Sequence, residues 1–108
     1  MLSEALRQEI ENEIKSHLVV VYMKGTENQP QCGFSSKTIQ ILQSYDVPIR
    51  AHNVLDATTP ELREGIKEFT GWPTIPQIFI NGEFIGGIDV LKEMHAAEEL
   101  RGLLVSSK

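Results

Sequence analysis

The chain has 108 residues, 41% of them hydrophobic, enough to bury one core without disulfides or structural metal, so a single domain over residues 1–108 is expected. A net charge of −5 lacks the basic footprint that phosphate contacts require and argues against nucleic-acid binding, while no apolar run approaches the ~18 residues of a membrane span. One cysteine cannot build a disulfide framework, which favours a reducing compartment over secretion.

Ser3 reads as an N-cap ahead of Leu6, Ile10 and Ile14, whose spacing puts them on one face of a flanking helix within residues 1–17. Those residues carry charges of both signs, unlike a secretory signal or an Arg-rich transit peptide. Leu18 to Met23 is a continuous apolar, β-branched run of the kind shown by a strand covered on both faces. A polar loop from Lys24 to Gln31 then delivers Cys32 to a new helix with Ile39, Leu42 and Tyr45 on its apolar side.

Pro48 interrupts, and Ile49 to Leu55 reads as a second strand. Thr59-Pro60 offers a capping hydroxyl and a first-turn proline to a helix with Leu62, Ile66 and Phe69 as its buried stripe and Gly71 as its stop. Trp72-Pro73-Thr74-Ile75-Pro76 is extended, because a residue before proline avoids the helical region. Asn81-Gly82 joins strands Gln77 to Ile80 and Glu83 to Ile85 as a hairpin. After Gly86-Gly87, Asp89 caps a helix carrying Val90, Leu91, Met94 and Ala97 that continues past a kink towards Leu100, Leu103 and Leu104. The order α, β, α, β, α, β, β, α predicts an α/β protein with a mixed sheet and helices on both faces.

Chemistry concentrates at Cys32-Gly33-Phe34-Ser35, where Ser35 occupies the position of the second sulfur in a two-cysteine redox motif. Any disulfide of Cys32 is therefore with another molecule, and any metal centre borrows ligands from outside the chain. A sulfur at a helix N-terminus is favoured as thiolate by free N–H groups and the helix dipole, and Lys24 can add a positive charge. Against this stands the commoner fate of a free cysteine, a small buried hydrophobe. His17, His52 and His95 are scattered and show no zinc-ligand spacing.

Four motifs in order, Lys24-Gly25-Thr26, Cys32-Gly33-Phe34-Ser35, Trp72 to Gln77 and Gly86-Gly87-Ile88-Asp89, resemble the monothiol glutaredoxins of the single-domain CGFS class over about Val19 to Leu104. The resemblance implies a thioredoxin-like fold with a central mixed four-stranded sheet. It also implies glutathione bound beside Cys32 and a [2Fe-2S] cluster held at a homodimer interface. The stoichiometry is coherent, since an all-thiolate cluster takes four sulfurs, two chains supply two, and two glutathiones supply the rest.

By the same resemblance, Lys24, Arg63 and Lys67 meet the glycine-end carboxylate of glutathione, Ile75 offers its backbone as an added strand beside a cis Pro76, and Ile88 and Asp89 hold the γ-glutamyl end. Each has a plainer reading: Arg63 and Lys67 can be a solvated helix face among Glu61, Glu64 and Glu68, and Asp89 can be only a cap. Many members of the class carry cysteine where this chain has Ile88, so an intramolecular disulfide is excluded here. Trp72 and Phe34 are expected beside the site, as packing or as partner contacts.

The preferred expectation is an iron-sulfur carrier that hands its cluster to recipient apoproteins, with a BolA-like protein as a further partner. The alternative is a glutathione-dependent thiol-disulfide oxidoreductase acting through Cys32, and a third reading is an interaction module with a silent cysteine. The expected location is the mitochondrial matrix for a processed form, otherwise the cytoplasm.

Overall fold

The computed structural model describes residues 2–105. A four-stranded mixed sheet in the order β2-β1-β3-β4 forms its centre, built from β1 (Val19–Met23), β2 (Arg50–Asn53), β3 (Gln77–Ile80) and β4 (Glu83–Gly86). Strand β1 pairs parallel with β2 and antiparallel with β3, and β3 pairs antiparallel with β4. This is the thioredoxin-like arrangement expected from the sequence.

The central strand explains its own sequence. Val19, Val21 and Met23 enter one core with Ile39, Ile41 and Leu42 of α2 (Gly33–Gln43), Leu91 of α4 (Ile88–Ala96) and Leu100 and Leu104 of α5 (Leu100–Val105). Val20 and Tyr22 point the other way, into a second core with Leu6, Ile10 and Ile14 of α1 (Glu4–Ser16) and Leu62 and Ile66 of α3 (Leu62–Thr70). A period-2 strand with helices on both sides has no solvent face, so every position of β1 is apolar and buried.

Ser3 caps α1 as expected, its hydroxyl accepting from the Leu6 N–H at 3.1 Å. Gly71 ends α3 in the left-handed conformation with φ 74°, its N–H bonded to the Lys67 carbonyl. The Asn81-Gly82 hairpin has φ of 56° and 80° at its two turn residues, as a tight twisted turn requires.

Four expectations need correction. Helix α3 starts at Leu62 with Glu61 as its N-cap and no side-chain cap bond, because Thr59 lies in a preceding turn in which its carbonyl takes the Leu62 N–H. Gly87, not Asp89, caps α4, so Asp89 lies in the first turn where the helix dipole favours its charge. The C-terminal segment is not one kinked helix: Glu98 takes φ 61°, its N–H returning to His95, and α4 and α5 are separate. The second strand is also shorter than the predicted 49–55 run, ending where Asn53 turns its side chain to the backbone.

Candidate functional site

Cys32 is itself the N-cap of α2, with extended backbone and its sulfur accepting from the Ser35 N–H at 3.3 Å. The Ser35 hydroxyl lies 3.3 Å from the same sulfur and is fully buried. Its oxygen also accepts the Lys24 N–H at 3.1 Å. The thiol donates to this oxygen through its second lone pair, and when Cys32 ionises the Ser35 hydroxyl can turn its own proton to Sγ, linking the end of β1 to the thiolate.

Partial burial pushes the Cys32 thiol up, yet it is outweighed by the Ser35 hydroxyl, the Ser35 and Phe34 N–H groups and the charge of Lys24, so the net shift is downward. The sulfur is partly accessible to solvent rather than sealed in the core. Its partial exposure sets Cys32 apart from a small hydrophobe sealed in the core, and a lowered, reachable thiol is suited to nucleophilic attack or metal ligation.

The approach loop is held from both sides. Asn53 Oδ1 accepts the Gly25 and Leu55 N–H groups at 2.9 Å each, joining the end of β2 to the residue after Lys24. Gln31 N–H closes on the Lys24 carbonyl at 2.8 Å. Gly25 has φ 92°, and a Cβ there would stand 2.5 Å from both the Gln29 carbonyl oxygen and the Gln31 nitrogen, so only glycine fits. The sequence reading missed Asn53, because one polar residue at a strand end carries no signal of the loop it will meet.

A groove of about 410 Å³, within the range usual for small-molecule sites, is lined by Phe34, two residues after Cys32, and by Lys24, whose charge acts on the thiol, while Cys32 itself is not part of the lining. All six residues proposed as glutathione contacts line it: Lys24 from β1's end, Arg63 and Lys67 from one face of α3, Ile75 from the cis-proline segment, and Ile88 and Asp89 from the start of α4. Arg63 Nε is buried with no partner among the described residues, whereas Lys67 reaches Glu64 at 3.4 Å. The Ile75-Pro76 bond is cis, and Ile75 lies beyond the end of the ladder whose last pair here is Tyr22 with Gln77. Trp72 stacks edge-on against Phe84 at 5.6 Å, and its indole crowds Gly87, where a Cβ would meet Nε1 at 3.2 Å. Phe34 is 66% exposed beside Cys32 and the groove.

A second cavity, of about 490 Å³, lies between α1 and β2, away from Cys32. There His17 and His52 approach the same Glu13 oxygen at 3.3 and 3.6 Å, together with Arg50 at 3.0 Å. His52 stacks on Tyr22 with ring centroids 4.8 Å apart. The cavity contains no cysteine, and its Glu13 contacts tie α1 to the edge of the sheet. The separation of these residues in the chain hid the convergence from the sequence.

This fold, with a lone thiol capping a helix near a cis-proline groove, defines a thiol protein of the thioredoxin-like class. The chain belongs to the glutaredoxin family, whose model matches residues 19–85. Among its relatives are monothiol members: it is 51% identical over 107 residues to the mitochondrial monothiol glutaredoxin-5 of Schizosaccharomyces pombe, covering 96% of this chain and 72% of that protein. It is 48% identical over 98 residues to the mitochondrial monothiol glutaredoxin-S15 of Arabidopsis thaliana, covering 91% of this chain and 57% of that one. The chain thus spans little more than half the length of the latter. Among solved structures, a monomeric truncated mutant of Trypanosoma brucei 1-C-Grx1 superposes with a TM-score of 0.83 at 34% identity, covering 99% and 92% of the two chains. Reduced apo GrxS14 of poplar gives 0.77 at 44%, covering 89% and 86%.

Proposed function

We propose that two copies of this chain, each with one glutathione in its groove, carry a [2Fe-2S] cluster and pass it to recipient apoproteins in the mitochondrion. The observation that carries this reading is the single cysteine, its thiol pKa lowered by Ser35 and Lys24, next to Phe34 and Lys24 of the groove wall and with no second thiol in the chain. The cluster is cargo, and each chain supplies one of its four sulfur ligands.

The groove's residues suit glutathione end by end. Lys24, Arg63 and Lys67 gather positive charge at one end for the glycine carboxylate, and the unpartnered Arg63 Nε gains an acceptor there. The Ile75 backbone offers a strand edge to the middle of the tripeptide. At the other end the N-terminus of α4 presents N–H groups to the γ-glutamyl carboxylate, and the exposed Asp89 carboxylate meets its ammonium. Bound this way, the tripeptide brings its thiolate beside Cys32, and Phe34 provides exposed apolar surface for the second copy.

Handing on the cluster is ligand exchange, in which recipient thiolates replace glutathione and Cys32 without any change in sulfur oxidation state. Ligands supplied by a free tripeptide leave more readily than ligands anchored in the chain, which suits a donor. A BolA-like protein is a further partner that competes for one side of the cluster. The mitochondrial location rests on relatives that bear that word in their names.

The depressed Cys32 thiol supports a second reading, reduction of glutathione mixed disulfides. Cys32 thiolate attacks the glutathione sulfur, the protein thiolate leaves, and a second glutathione thiolate then releases glutathione disulfide. Ser35, an oxygen where a resolving sulfur would stand, makes this turnover depend on external glutathione throughout. Anaerobic reconstitution with iron, sulfide and glutathione decides between them. A visible chromophore lost in Cys32→Ser, and on omitting glutathione, supports the carrier; a colourless protein with rapid mixed-disulfide reduction supports the oxidoreductase.

A further inference from the structure

Gln77 opens β3 fully buried, faces the α1 and α3 side of the sheet, and does not line the groove. A buried amide is tolerated only where its polar atoms are bonded. Here Nε2 donates to the Trp72 carbonyl at 2.8 Å and to the Thr74 carbonyl at 3.1 Å, while Oε1 accepts from the Thr70 hydroxyl at 2.8 Å. Two carbonyl acceptors on one side and a hydroxyl on the other leave only one orientation of the amide that satisfies all three bonds. Thr70 Oγ1 accepts the Trp72 N–H at 3.1 Å in turn.

These bonds join two walls of the groove. Thr70 is the last residue of α3, the helix that carries Arg63 and Lys67, and Trp72 and Thr74 belong to the segment that carries Ile75. Both walls are thereby fastened to one side chain anchored in the central sheet, through the Gln77 pairing with Tyr22. We infer that Gln77 is a positioning residue that sets the distance between the α3 cations and the Ile75 strand edge, and so fixes the span of groove available to a tripeptide. The inference rests on the reading of the groove as a glutathione site.

A ligand held at several points binds well only if those points are already correctly spaced; otherwise binding energy goes into ordering the walls. Gln77→Leu keeps the side chain's bulk and removes all three bonds. The test is calorimetric titration of glutathione into wild-type and variant protein, at a temperature where circular dichroism shows both folded. Roughly a tenfold rise in Kd is expected, equivalent to about 1.4 kcal/mol. The pH profile of Cys32 alkylation should be unchanged, since the Ser35 and Lys24 bonds lie elsewhere. Thr70→Val cuts the α3 link to Gln77, together with the Thr70 hydroxyl's bonds to the Trp72 N–H and the Ile66 carbonyl, and serves where Gln77→Leu does not fold; Thr70→Ser, which keeps the hydroxyl, should have wild-type affinity. In an Arg63→Ala background the Gln77→Leu penalty should shrink, because one of the two points whose spacing it sets is gone.

Glutathione affinity within twofold of wild type in Gln77→Leu, or an unchanged penalty in the Arg63→Ala background, would overturn the positioning role while leaving glutathione binding intact. Failure of wild-type protein to bind glutathione would overturn the glutathione reading itself, and this inference with it.

Discussion

Replacing Ser35 with alanine removes the hydroxyl that stands 3.3 Å from Cys32 Sγ and leaves the other thiolate contacts in place. A hydrogen bond to a charged group contributes about 1.5–3 kcal/mol. Because Sγ is partly open to water, which replaces some of the lost interaction, the lower bound applies. At about 1.4 kcal/mol per factor of ten, the thiolate fraction should fall roughly tenfold at a pH below the titration midpoints of both proteins. Alkylation would understate this, since a more basic thiolate is intrinsically more nucleophilic by about half the change on a logarithmic scale, leaving a net loss of only about threefold. Ultraviolet thiolate absorbance against pH reads the population directly and is the assay of choice. The substitution also leaves the Lys24 N–H without its acceptor, so a modest fall in Tm should accompany the change. A midpoint unmoved or lowered in Ser35→Ala would refute the relay from Lys24 through Ser35 to Cys32.

Gly25→Ala should cost at least about 2 kcal/mol, because it combines a disfavoured positive φ with backbone contacts at 2.5 Å, and thermal melting should show a Tm lower by about 10 °C. Arg63→Ala should weaken glutathione binding by about tenfold and Lys67→Ala by about threefold, as read by calorimetry, since Arg63 holds an unpartnered buried donor while Lys67 already engages Glu64. Burial drives the His52 pKa down, with Glu13 opposing and Arg50 reinforcing, so the unfolded chain takes up a proton that the folded state rejects. The associated stability is present above the ordinary histidine range and is lost as pH falls through about 6.5 towards the depressed folded value. Wild-type Tm should therefore fall more steeply on acidification than that of His52→Asn, and equal slopes would count against the assignment.

Patterns that repeat along the chain were legible without coordinates. The unbroken apolar run of β1 implied a strand covered twice, and Val19 to Met23 is divided between two cores as that reading requires. Asn81-Gly82 announced its hairpin, and Ser3 its helix. Misplaced boundaries fell at helix starts where no side chain caps: Glu61 begins α3 instead of Thr59, and Gly87 begins α4 instead of Asp89. The groove residues were legible by resemblance to the family, and the fold gathers all six around one depression. What could not be read were contacts made by isolated polar side chains. Asn53 holding Gly25 and Glu13 meeting His52 join residues far apart in the chain, and Gln77 holding Thr70, Trp72 and Thr74 depends on the fold of the segment between them.

The central claim is that one thiolate per chain makes the cluster a shared object. Native mass spectrometry of protein reconstituted without air measures this directly: two chains, two glutathiones and one [2Fe-2S] unit in a single species, with no such species from Cys32→Ser, is the predicted result. A cluster retained on one chain, or on two chains without glutathione, would contradict it.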